Sequence, residues 1–249
     1  MNTDELTDIK IPLNLKNVPI LGQKKGLLIA FEGQDGAGKS EQVDLLRKAL
    51  QMTGFKVSVF RSPGSTKIGE AIRDMVKNTL NKPIPATELL LITASFAQLV
   101  HDEIIPALKE GSIVICDRYF YSTICYQAFG RQVDPNIVKA IIQFAIGDAV
   151  PDVTFMLDIS EEEANKRTAK RGTIDRFEQE NEDFKKRVRQ GYDWLKSMEI
   201  PSKGKIVAVD ASGTPEMVHT EIFRCVASRI TSLQEGQLEI DLKKKIIKA

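Results

Sequence analysis

Short apolar runs alternate along the chain with longer stretches in which apolar residues recur every three or four positions. GLLIAF (26–31), KVSVF (56–60), SIVIC (112–116), VTFMLDI (153–159) and KIVAVDA (205–211) have the length and β-branched content of buried strands. Between them, helical spacing predicts helices over 41–51, 67–80, 85–109, 135–146, 161–171, 181–196 and 214–230. The apolar side of the third holds Leu89, Leu90, Ile92, Phe96, Leu99 and Ile104. Tyr192, Trp194 and Leu195 share the spacing of a packed helix face and read as core contacts. Strands alternating with helices predict an α/β fold: a parallel sheet flanked by helices on both faces. Residues 1–25, with Pro12, Pro19 and Gly22 among scattered charges, read as an N-terminal arm. Residues 26–230 form the domain, and 231–249 a solvated basic tail.

Composition narrows the function classes. The chain of 249 residues is 42% hydrophobic and 28% charged, enough to build a core without disulfides. Lys plus Arg number 35 against 34 Asp plus Glu, so no global basic field points to nucleic acid, and any bound anion must meet a local cation cluster. Cys116, Cys125 and Cys225 show no CxxC pairing and no histidines at ligand spacing, and read as small apolar residues in a reducing compartment. His101 and His219 likewise lack the companions of a metal site. No uninterrupted apolar run approaches a membrane span, and the acidic start MNTDELTDIK is unlike a signal peptide. The expected setting is cytoplasmic, away from membranes.

The strongest chemical signal is Gly33-Gln34-Asp35-Gly36-Ala37-Gly38-Lys39-Ser40, which fills GxxxxGK[ST] between a strand and a helix. Glycines let the backbone curl around an anion, with N–H groups and the helix dipole facing it. Lys39 is then placed to bridge β- and γ-phosphates, and Ser40 to reach Mg²⁺. The fold expected is therefore a P-loop NTPase-type sheet. Asp35 is awkward among phosphate-binding amides unless it points away, either toward a hydroxyl of a second substrate or into a cap of its own turn.

Asp117 and Arg118 follow the SIVIC strand, at the sheet edge where open α/β folds bind ligands. Asp117 could act through Mg²⁺-bound water, and the planar fork of Arg118 suits phosphate; a plain surface ion pair is the other reading. Arg61 and Arg73 could add cations to the same anion. Arg167, Arg171 and Arg176 read equally well as a flap closing on transferred phosphate or as a solvated charged face. Three rival classes stand beside transfer to one particular second substrate: a same-fold kinase for a different monophosphate acceptor, a nucleotide-dependent switch or ATPase with a protein partner, and an inactive paralogue.

Over residues 26–230, the strings FEGQDGAGKS, RSPGSTKIGEAIR, AQLVHDEIIPAL, DRYFYSTICYQAFGR, PDVTFMLDIS and RTAKRGTIDRFE followed by RVRQGY resemble the bacterial type of thymidylate kinase. The resemblance implies ATP- and Mg²⁺-dependent phosphorylation of dTMP, a helical lid at about 161–180 and a homodimer. It implies that Gly33 to Ser40 bind ATP together with Arg167 and Arg176, with Lys39, Asp117, Arg118 and Arg171 catalytic, and Ser40 and Asp117 at the metal. Asp35 would meet the acceptor 3′-hydroxyl, Arg61, Arg73 and Arg118 its phosphate, Tyr126 its 2′ position, and Thr123 and Gln127 its base. Two departures stand out. Ser62 and Ser65 interrupt the family's REPGG, and Ile92, Ser95 and Phe96 replace Phe, Asp and Arg of F-x-x-D-R-A-Q. A base-contacting arginine is thus lost, and Phe96 is left as the residue able to stack.

Overall fold

A computed structural model describes residues 25–169, 175–197 and 205–247. Residues 1–24 of the expected arm and residues 170–174 of the lid, Arg171 among them, lie outside the described residues. Five strands, β1 (Leu27–Glu32), β2 (Val57–Arg61), β3 (Ile113–Asp117), β4 (Val153–Asp158) and β5 (Lys205–Asp210), form one sheet in the order β2-β3-β1-β4-β5. Every pairing is parallel, with Leu27 opposite Ile113 and Ile29 opposite Val153.

The central strand shows why its sequence is apolar throughout. Leu28 and Ala30 face one core, with α2 (Lys67–Lys77), α3 (Pro85–Leu99), α6 (Pro135–Ile146) and α8 (Glu182–Ser197). Leu27, Ile29 and Phe31 face the other, with α1 (Lys39–Met52) and α9 (Pro215–Ile247). Alternate side chains leave a pleated strand on opposite faces, so a strand covered on both sides needs no polar register. The α/β expectation holds, and the strands begin and end within about a residue of the predicted runs.

Three elements depart from their expected form. The helix expected over 85–109 is α3 and α4 (Ile105–Lys109) joined by a π-helical turn at Val100–Ile104. Pro106 has no N–H to give the Asp102 carbonyl, and the wider turn absorbs the missing bond. This stretch is the one helix among the described residues long and apolar enough to cross a membrane, yet half of its most apolar eighteen residues are buried in the core. A helix not anticipated from spacing, α5 (Phe120–Thr123), runs on into a π-helical segment at Ile124–Gly130. FYSTICYQAF is poor in helix formers, and packing supplies what propensity lacks. A Cβ at Gly191 of α8 would stand 3.0 Å from the Cys125 Cα, so the two backbones touch there. Lastly, α9 continues to Ile247, past the expected close at Ile230.

Candidate active site

The carboxyl ends of the parallel strands open into a cleft of about 1210 Å³, the position expected where strand order reverses around β1. The phosphate loop forms its centre. Gly33 and Gly36 adopt φ of 136° and 83°, which L side chains rarely tolerate, and both are closely packed. A Cβ on Gly36 would stand 2.4 Å from the Ala164 carbonyl oxygen of α7 (Glu161–Ala169), so that helix lies directly on the loop. Lys39 is buried, and its Nζ donates to the carbonyls of Gly33 (3.0 Å) and Gln34 (2.8 Å). Gln34 turns outward, donating to the Ile159 carbonyl at 2.7 Å. Across the loop mouth, Ser40 Oγ donates to Asp117 Oδ2 at 2.5 Å. The two residues expected at a metal are thus adjacent.

Arg118 crosses from β3 to the loop. Its φ of 65° is strained for a side-chain-bearing residue, costing on the order of 1–3 kcal/mol, and bonds on every side hold it. One terminal nitrogen meets Asp35 Oδ1 at 2.5 Å; the other donates to the Gly33 carbonyl (2.9 Å), Ser122 Oγ (3.0 Å) and Tyr192 Oη (3.0 Å). Asp35 Oδ2 accepts from the Tyr126 hydroxyl at 3.1 Å. Burial works to raise the Asp35 pKa, but the charges of Arg118 and Lys39 and the Tyr126 hydrogen bond outweigh it, holding the carboxyl well below the usual range. Asp35 therefore links the phosphate loop to the segment after β3, pointing away from the loop's anion-binding face.

Behind Arg118 stands Glu32, the fully buried last residue of β1. It accepts from the N–H groups of Tyr119 (2.9 Å) and Ser122 (3.2 Å) and from the Ser122 hydroxyl. Burial raises its pKa, only partly offset by those hydrogen bonds and by Arg118. Neither Glu32 nor Tyr192 was expected here. Glu32 reads in the sequence as the edge of a strand. Tyr192 does pack as expected, and its hydroxyl also braces Arg118, which apolar periodicity cannot reveal.

The remaining candidates divide. Arg61, Arg73, Ile92, Phe96, Thr123, Tyr126 and Gln127 all line the same cleft on the β2–β3 side. Arg61 pairs with Glu70 at 2.8 Å, and Arg73 donates to the Pro63 carbonyl at 2.8 Å. Burial lowers the Arg73 pKa, as does the nearby Arg61 charge. Phe96 is almost wholly buried, its ring edge-on to Tyr119 with centroids 5.5 Å apart. On the opposite side Arg167 reaches over the loop, paired with Glu163 at 2.9 Å and donating to the Ala211 carbonyl at 3.3 Å. Arg176, expected beside it, is not brought to the cleft. Its guanidinium is committed to Glu88 (2.5 Å) and the Val76 carbonyl (2.7 Å), because a buried cation requires a counter-charge.

The family model for thymidylate kinase matches residues 31–222. The chain belongs to the thymidylate kinase family. A thymidylate kinase of Thermoanaerobacter sp. (strain X514) is 42% identical over 202 residues, spanning 81% of this chain and 98% of that protein. Thymidylate kinases of Pelotomaculum thermopropionicum and Prosthecochloris aestuarii are 37% and 38% identical, covering 85% and 86% of this chain and 98% and 100% of theirs. Membership of the thymidylate kinase family makes this an enzyme, a nucleoside-monophosphate kinase. The match reaches from the end of β1 into α9, so it includes every cleft residue described above.

Proposed function

We propose that the protein transfers the γ-phosphoryl group of ATP to dTMP, giving dTDP and ADP. The observation that carries this reading is a single cleft with two ends. The phosphate loop and Arg167 line one, Arg61, Arg73, Thr123 and Gln127 the other, and Asp35 and Arg118 stand between. A switch or simple ATPase needs no second cation-lined lobe. In this reading Gly33 to Ser40 hold the triphosphate, Arg118, Arg61 and Arg73 the acceptor phosphate, and Asp35 the acceptor's 3′-hydroxyl. Tyr126 lies at the 2′ position, and Thr123 and Gln127 at the base, with Ile92 and Phe96 as its apolar floor.

The Ser40 hydroxyl and Asp117 carboxylate suit Mg²⁺, a hard cation held by few protein oxygens plus substrate phosphates. The ion would neutralise charge on the transferring oxygens. The chain's own part is alignment and charge compensation: the loop amides and Lys39 fix the donor, while Arg118 draws acceptor and donor oxygens together.

A homodimer is part of this proposal, supported by exposed Leu90, Ile137 and Phe144 on α3 and α6, two helices that pack side by side. Sedimentation equilibrium is expected to give twice the chain mass; a monomer at micromolar concentration would contradict it. A cytoplasmic setting is supported by the unpaired thiols of Cys116, Cys125 and Cys225. The substrate assignment is tested by ADP release with a panel of monophosphates. dTMP is expected to give the highest kcat/KM. Equal or faster turnover of a purine acceptor would redirect the reading to another base.

A further inference from the structure

A buried ionic cluster lies just behind the acceptor end of the cleft. Glu88, in the first turn of α3, is wholly inaccessible. Its Oε1 accepts from Gln127 Nε2 at 2.8 Å and from Arg131 Nε at 2.9 Å. Its Oε2 accepts from terminal nitrogens of Arg131 (3.0 Å) and Arg176 (2.5 Å). Glu180 adds a second carboxylate, 2.5 Å from Arg131, so two acids face two bases. The rings of Phe184 and Phe177 lie 4.4 Å from the guanidinium carbons of Arg131 and Arg176, respectively. Of this group, only Gln127 and Phe177 line the cleft.

The chemistry of Glu88 decides which way the Gln127 amide faces. A carboxylate receiving three guanidinium N–H groups offers only lone pairs, so the amide must turn its NH₂ toward it. The reverse orientation would set a carbonyl oxygen against a carboxylate oxygen. Gln127 Oε1 is thereby left on the other side, buried and without a hydrogen-bond partner among the described residues. An unsatisfied buried acceptor costs free energy unless a ligand supplies the missing donor.

We infer that Glu88 is a positioning residue for base selection, holding the Gln127 amide so that it presents a bare acceptor to the acceptor nucleotide. This rests on the reading above that the base lies at Gln127. A keto pyrimidine, with an N–H at its N3 edge, completes the bond. Cytosine, with a lone pair at the same edge, meets acceptor with acceptor. Arg131 and Arg176 serve by locking the carboxylate in place, which assigns Arg176 a part in the acceptor pocket instead of the ATP side.

The test is Glu88→Gln beside Glu88→Asp. A glutamine at 88 can present either end of its amide, freeing Gln127 to turn. The dTMP-to-dCMP ratio of kcat/KM is expected to fall by roughly tenfold or more in Glu88→Gln. In Glu88→Asp, which keeps an acceptor-only group, the ratio should stay within about threefold of the unaltered protein. A merely structural role would lower both substrates together, and an unchanged ratio in folded Glu88→Gln overturns the inference. Because Glu88 also neutralises two guanidiniums, a second measurement uses the unaltered protein. The ¹⁵N–¹H signals of the Gln127 side-chain amide, assigned by their loss in Gln127→Met, are expected to exchange slowly with solvent whether or not nucleotide is bound. Rapid exchange in the free protein would show the NH₂ released from Glu88 and sink the proposal. If no monophosphate is phosphorylated at all, the kinase reading fails, while the exchange rate still decides whether Glu88 pins the amide.

Discussion

Arg118→Ala is expected to lower kcat by roughly 10²–10³-fold, the cost of removing one preorganised charge from a transition state. The guanidinium sits between the phosphate loop and the acceptor lobe, bonded to Asp35, Gly33, Ser122 and Tyr192. An arginine held this rigidly loses little entropy when charge develops beside it. The fold should survive the change. The positive φ at 118 penalises alanine as it does arginine, and β3 hydrogen bonds do not involve the side chain. Circular dichroism matching that of the unaltered protein, with turnover lost at saturating dTMP, is the predicted combination. A variant that loses only dTMP affinity and keeps kcat would show that Arg118 binds the ground state alone.

Lys39→Met should cost at least as much, because it removes the positive side chain that faces the triphosphate from within the loop. It should also abolish a pH dependence. Burial and the neighbouring Arg118 charge lower the Lys39 pKa to about 8, against the pull of Asp35, Asp117 and Glu32. Bound triphosphate favours the ammonium form, so ATP binding takes up a proton once pH exceeds about 8. Affinity then falls as pH rises, approaching about tenfold per unit. Folding stability moves the other way. Between about 8 and the ordinary lysine value of 10.5 the unfolded chain holds the extra proton, so this group's contribution improves as pH rises. Calorimetry at pH 8.5 in buffers of different ionisation enthalpy measures the uptake directly. Uptake in the unaltered protein and none in Lys39→Met is expected; no uptake in either would remove Lys39 from triphosphate binding.

Much of this site was legible in the sequence for a simple reason: its main parts are local. The phosphate loop is eight consecutive residues, and Arg61, Asp117 and Arg118 sit where apolar strands stop. What periodicity could not carry were side chains whose meaning depends on a distant partner. Glu32 gains its role from Ser122 and Tyr119, far along the chain. Glu88 gains its role from Arg131 and Arg176, each more than forty residues away. Charge spacing groups Arg176 with the lid arginines and says nothing of the counter-charge that claims it. The segment after Tyr119 is not legible as a helix because β-branched and aromatic residues lower its propensity, and tertiary packing, including the close approach to α8 at Gly191, holds it. Phe96 was expected as a stacking ring, and its edge contact with Tyr119 makes it part of the core as well as the cleft floor.

The central claim is that one phosphoryl group passes directly between two nucleotides in this cleft. Incubating the protein with Mg²⁺, dTMP and ATP labelled at the γ-phosphorus traces that group. The label should appear in dTDP in proportion to ADP formed, with little inorganic phosphate. Label released as inorganic phosphate at a rate indifferent to dTMP would mean that water, and not a nucleotide, is the acceptor.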